Sequence, residues 1–182
     1  MNLLFNEAKA TQAAAQLLRL RGGRMSYVKL VKLLYLADRE ALIRWGRPIT
    51  TDHYLSMDEG PVLGRIYDLI RNEPPPNSVK MWGKFISVPA DYEVHLLGDP
   101  GTGELSPAEQ QLLAEVFAQH GQKSRWAIVD YTYGLPEWTH PDGGARTIEY
   151  RDILRAAHKT EAEISATEEA LESLALEEHI LV

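Results

Sequence analysis

"YVKLVKLLYLADREALIRW", Tyr27 to Trp45, decides the fold. Between Val28 and Ala37 only Lys29 and Lys32 interrupt the apolar sequence. The spacing predicts a helix, and apolar residues on more than one face predict a buried one. Ser26 stands where a cap is needed, Gly46 follows the last turn, and Pro48 forbids resumption.

Upstream, Asn6 can cap a helix whose Ala10, Ala13, Ala14, Leu17 and Leu18 share one face, and Gly22-Gly23 ends it. Downstream, "PITTDHYLSM" reads as a short, partly extended connection. In "YLSMDEGPVLGRIYDLI", Tyr54 to Ile70, Gly60 supplies backbone freedom and Pro61 suits the first position of a helix. Val62, Ile66, Leu69 and Ile70 would form its apolar stripe. Asp58 and Glu59 would stand before its positive N-terminus, so the pair needs no chemistry to account for it. "NEPPPNS" cannot be regular structure. "KMWGKFISV" and "YEVHLL" are β-like runs separated by Pro89-Ala90-Asp91, and a hairpin is expected there. "LSPAEQQLLAEVFAQHG" carries Ser106, Pro107, Glu109 and Gly121 in the positions that start and stop a helix. Ser124 caps a shorter one through Tyr133. From Tyr150 a helix is expected that runs on toward the acidic tail. The fold class expected is mainly α (α+β), a compact helical domain over residues 1–158 with a small antiparallel hairpin or sheet. An acidic helical extension over 159–182 follows it.

The 182 residues suffice for one domain, and a hydrophobic share of 45% with 25% charged is ordinary for a soluble fold. With no cysteine, disulfides, thiolate metal sites and a cysteine nucleophile are excluded. The opening "MNLLFNEAKATQ" lacks the pattern of a secretory leader, and no apolar run approaches a membrane span. A cytoplasmic protein is expected. The net charge of -7 is uneven. Thr160 to Val182 holds seven glutamates and no base, whereas Arg19 to Arg47 holds eight bases against Asp38 and Glu40.

Catalytic and cofactor signals are weak. No two histidines stand at i, i+3 or i+4, so no metal site is expected, and His53 beside Asp52 and Asp58 reads as a surface histidine. "GDPGTGEL" lacks the lysine and adjoining helix start of a phosphate cradle. No serine lies in a G-x-S-x-G context. Trp126, Val129 and Tyr133 share a helical face and are expected in the core. Asp130, Glu137 and His140 lie nearby, but spacing alone sets no catalytic geometry. No catalytic residue and no cofactor is expected. Two helices around "RGGRMS", then a third element and a hairpin, also follow winged-helix order, with a basic Arg19 to Arg47 to attract DNA. Against DNA binding, "LVKLLYLA" is built for burial, while a recognition helix displays polar residues.

"KLVKLLYLADREALIRWGRPITTDHYLSMDEGPVLGRIYDLI", Lys29 to Ile70, resembles the core of the Panacea domain family of SocA-like antitoxins, earlier labelled phage-associated proteins. The features that carry it are "LLYLAD", "GRPIT", Tyr54 with Met57, and "GPV" followed by "IYDLI". "LSPAEQ" and "TIEYRDIL" fit the same pattern. The resemblance implies a bacterial antitoxin, not an enzyme, with a mainly helical fold and a cognate protein toxin as partner. It leaves blocking of the toxin, delivery of it to a protease, and self-association open. It assigns nothing to the acidic extension.

Interface-type residues suggest where contact would fall. Trp45, Arg47, Tyr54 and Met57 are candidates on the globular part. On the tail, Glu168 and Glu172 would meet a basic toxin surface, with Leu171, Leu174, Leu176, Ile180, Leu181 and Val182 as apolar anchors. The tail can equally fold onto its own basic segment or remain solvated.

Overall fold

The computed structural model describes residues 3–181. Its centre is α2 (Tyr27–Trp45), in which Leu30, Leu33, Leu34 and Tyr35 are at most 1% exposed. α1 (Glu7–Leu20), α5 (Pro107–His120), α6 (Arg125–Tyr133) and α7 (Tyr150–Ala156) all pack against it. The helix surrounded by others is thus the one whose sequence is apolar on several faces. Gly46 closes it in the left-handed conformation at φ 72°. Ser106 and Glu109 form the reciprocal cap that starts α5, and Ser124 accepts from the Ala127 amide at the start of α6. The fold is mainly α with a little β.

Two small antiparallel sheets complete it. β2 (Tyr54–Met57) lies between β3 (Gly60–Leu63) and β5 (Arg146–Ile148), with Tyr54 opposite Leu63 on one side and Ile148 on the other. β1 (Arg24–Ser26) pairs with β4 (Glu93–His95), Met25 facing Val94.

This arrangement corrects three expectations. Pro61 does not open a helix. It lies in β3, and α3 (Gly64–Ile70) begins three residues later. Asp58 and Glu59 are therefore the tip of a hairpin. The acid at the N-terminus of α3 is Asp52, whose carboxylate accepts from the amides of Arg65 and Ile66 at 3.0 Å each. The expected hairpin after Val79 is mostly something else: Trp82–Phe85 is a helical turn, α4, and β4 takes β1 as its main partner. Of the pairing across Pro89 to Asp91, the isolated bridges Ile86–Leu96 and Ala90–Glu93 and neighbouring bonds survive. Third, the helix from Tyr150 stops at Ala156, and α8 (Glu161–Ile180) starts afresh behind a Thr160–Glu163 capping box.

Besides Asp52, three further buried carboxylates tie the chain to itself. Asp38, 1% exposed, accepts from the Ile49 and Thr50 amides on one oxygen and from the Thr50 and Tyr54 hydroxyls on the other. Glu137 takes the Tyr35 hydroxyl at 2.9 Å and the Arg39 guanidinium through both oxygens. Glu7, at the start of α1, accepts from the Met81 and Trp82 amides and so holds α4. A buried carboxylate with fewer partners would cost several kcal/mol. Here each one fixes a loop.

α8 lies along the domain. Ile164 and Leu171 join the core, Glu168 pairs with Arg151 at 2.8 Å, and Glu178 reaches Arg47 at 3.7 Å. Of the three readings weighed for the acidic tail, folding back is observed in part. Its ion pairs go chiefly to Arg151 and Arg155 of α7, and among the described residues Glu178–Arg47 is the one that reaches the Arg19 to Arg47 segment. Val182 lies outside the described residues.

Candidate functional site

At the N-terminal half of α2 the packing opens. A cleft of about 240 Å³ is bounded by Tyr27, Val28, Val31 and Lys32 of α2, by Met57 to Glu59 and Val62 of the β2–β3 hairpin, and by Tyr67 of α3. The hairpin tip is held rigidly. Tyr133 donates its hydroxyl to the Asp58 carbonyl at 2.7 Å, and Trp138 donates its indole N–H to the Met57 carbonyl at 3.1 Å. Gly60 sits at φ 99°, and a Cβ there would stand 2.8 Å from the Thr132 hydroxyl, so the turn admits only glycine.

Lys32 forms the floor of the cleft. Its ammonium group is buried and donates to the Pro61 carbonyl at 2.8 Å. Burial pushes the amine down to about 7, with Glu59 pulling weakly the other way. Lys29, one turn earlier, donates to the Gly121 carbonyl at 2.7 Å, and burial lowers it as well. The two lysines that interrupt the apolar helix are thus both spent on backbone carbonyls. The rim differs. Asp58 and Glu59 are exposed, and among the described residues Glu59 makes no ion pair. Among the described residues the one basic group within ion-pair distance of the Asp58 carboxylate is His140, at 3.9 Å.

Beside the cleft runs a row of stacked side chains. Tyr27 stacks on Tyr92 with ring centres 6.5 Å apart. The guanidinium of Arg125 lies 5.2 Å from the Tyr92 ring centre and 4.4 Å from that of Trp126. Tyr92 is 63% exposed and Trp126 62%. Trp126 and Tyr133 were expected in the core; only Val129 of that trio is buried, because the α6 face turned inward carries Ile128, Val129 and Thr132. Large exposed aromatics stacked on an arginine are the residue types that dominate protein interfaces.

The residues singled out from the sequence do not form one patch. Tyr54 is fully buried against Asp38 and Tyr35, and Leu171 is 2% exposed, so neither offers a face to a partner. Met57 lines the cleft. Trp45 and Arg47 are exposed at the far end of α2, where Arg47 meets Glu178. Trp45 is fourteen residues beyond Val31, about 21 Å along a helix rising ~1.5 Å per residue. On α8, Glu172 is exposed, Leu174 half-buried, and Glu168 engaged by Arg151.

The acid–base group considered around Asp130, Glu137 and His140 is not brought together either. Glu137 is buried with Arg39, while His140 is exposed near Asp58 and Asp142. His53 lies 3.2 Å from Asp52 at a second depression of about 210 Å³ beneath α8, where Asp52 is already occupied in capping α3. Among the described residues no three His, Cys, Asp or Glu side chains converge as metal ligands, and no helix is long and apolar enough to cross a membrane. The helix that DNA binding would need as its reader, α2, is largely buried.

Fold and site together define a small α+β domain built around one buried helix, with an aromatic face at the end of that helix. Residues 30–139 match the model of the SocA-like antitoxins, the Panacea domain, and the chain belongs to that family. Most of the cleft falls within the matched segment, whereas α7 and α8 lie beyond it. Searches of the curated proteins and of the solved structures found no match.

Proposed function

We propose that this chain is an antitoxin that neutralises a protein toxin by seating it on the face made by Tyr27, Tyr92, Arg125 and Trp126. No covalent step is involved. Membership of an antitoxin family supports the role. The observation that carries the choice of face is the exposed Tyr92–Arg125–Trp126 stack. Burying such a stack removes a large apolar area from water, and the stacked guanidinium is already oriented, so little side-chain entropy is lost on binding. The acidic face of α8 plays a secondary part at most, since three of its glutamates, Glu161, Glu168 and Glu178, are already paired within the chain.

The test is co-expression with the toxin encoded beside this gene. Tyr92→Ala combined with Trp126→Ala abolishes protection and complex formation while the fold persists. Full protection by that double variant would remove the face from consideration. Turnover of a small substrate, lost when one carboxylate or histidine is neutralised, would overturn the reading as a whole.

A further inference from the structure

The cleft beside the aromatic row has a chemistry of its own. One wall is apolar, from Val28, Val31 and Val62. Its mouth carries two carboxylates, on Asp58 and Glu59: among the described residues Glu59 makes no ion pair, and Asp58 is approached by the His140 imidazole at 3.9 Å. Its floor is a lysine already turned to a backbone carbonyl. The nearby arginines do not fill it, since Arg125 lies over Tyr92 and Trp126, and Arg71 lies over Tyr67 while pairing with Glu73. An apolar slot with acids at its mouth is complementary to a long side chain that ends in a cation.

We propose that the cleft receives a lysine or arginine side chain projected by the toxin, with Glu59 and Asp58 taking its charge and Val28, Val31, Met57 and Val62 its stem. This rests on the reading of the chain as a toxin-binding antitoxin and adds the chemistry that selects the toxin. Rigidity of the hairpin tip matters here. The bonds from Tyr133 and Trp138 set the carboxylates in place before the partner arrives, so their ordering is not charged against binding. The floor lysine is committed to the Pro61 carbonyl, and burial, which lowers its hold on a proton, limits its repulsion of the guest. The aromatic row then supplies the bulk of the affinity, and the cleft supplies the discrimination.

Two measurements test this. N-acetyl-arginine methylamide and N-acetyl-lysine methylamide, titrated into the full chain, shift the backbone amide resonances of Met57, Glu59 and Gly60 saturably, with millimolar dissociation constants. N-acetyl-norleucine methylamide, which has a stem and no charge, does not. The Asp58→Asn, Glu59→Gln double variant, with both positions exposed and the fold unaffected, loses the response. Equal shifts from norleucine, or an arginine response that survives the double variant, would overturn the inference. With the toxin itself, Glu59→Lys weakens binding by about tenfold or more, and changing one basic toxin residue to glutamate restores it. If the toxin binds the wild type and Glu59→Lys alike, the inference falls and the antitoxin reading stands. If no toxin binds at all, the antitoxin reading falls, and the amino-acid probes still decide the cleft.

Discussion

The two halves of α2 carry the same kinds of residue and use them oppositely. From the middle of the helix onward, Tyr35, Asp38 and Arg39 spend their polar atoms on buried partners. In the N-terminal half, Tyr27 is half-exposed, and the hairpin acids that lean over Lys32 face solvent. One end is saturated and holds loops together. At the other, hydrogen bonds pin the backbone of the hairpin but leave its acidic side chains free. Polar groups with full valences explain stability; those with spare valences, on rigid backbone, are where a partner can be read.

The largest effect tests the saturated end. Asp38→Ala strands the Ile49 and Thr50 amides and the Tyr54 hydroxyl in the core, at a cost of about 3–5 kcal/mol. At ~2–4 °C per kcal/mol for a domain of this size, thermal melts should show a fall of roughly 6–20 °C. Asp38→Asn should cost far less, about 1–2 kcal/mol. Its carbonyl can keep the two amides while its NH₂ donates to the two hydroxyls, which reverse roles. Equal losses from both variants would break the proposed polarity of the site. Leu171→Ala comes next, at about 2–3 kcal/mol, because it opens a cavity under α8. An unchanged urea midpoint would mean that α8 contributes nothing to the fold.

At the open end the comparison predicts affinity loss without instability. Trp126→Ala should weaken toxin binding by about 2 kcal/mol, near thirtyfold, with a melting temperature within the scatter expected of surface changes. Calorimetric titration together with a melt separates the two. The smallest effect is in pH dependence, and its sign differs between the halves. Asp38 is pushed up to about 7 by burial, against its four hydrogen bonds, so the unfolded chain gives up that proton first and stability falls between about pH 4 and 7. Lys32 is pushed down to about 7, so the unfolded chain holds that proton longer and stability rises between about pH 7 and 10. Asp38→Asn flattens the acid limb and Lys32→Met the alkaline one. Should either variant leave its limb intact, the assignment of that limb fails.

What could be read from sequence divides along the same physical line. Ser106 with Glu109, Ser124 and Gly46 work through neighbours within one turn, so local pattern sufficed for α5, α6 and the end of α2. Pro61 misled because Gly-Pro signals a helix start locally, while pairing with Ser56 across the hairpin decides the outcome. The strand read into "KMWGKFISV" failed for the same reason, as β4 prefers β1, some seventy residues earlier. The proposed contact face includes Tyr27, Tyr92 and Arg125, which the sequence reading did not single out. The α6 periodicity grouped Trp126 with Val129, but only the placement of α2 and β3 determines which side of α6 is inside. Arg125 next to Trp126 at a capped helix start was the available clue. Tyr92, in a turn, gave none.

The bond from Lys32 to the Pro61 carbonyl reaches further than the cleft. In an antiparallel strand a residue's amide and carbonyl point the same way, and at Pro61 the amide is missing while the carbonyl is taken by an amine from α2. The outer side of β3 is therefore closed to another strand at that point. Neither a second copy of this chain nor an extended toxin segment can grow the sheet there, so whatever docks on this side must recognise surface shape and side-chain charge instead of continuing the ladder.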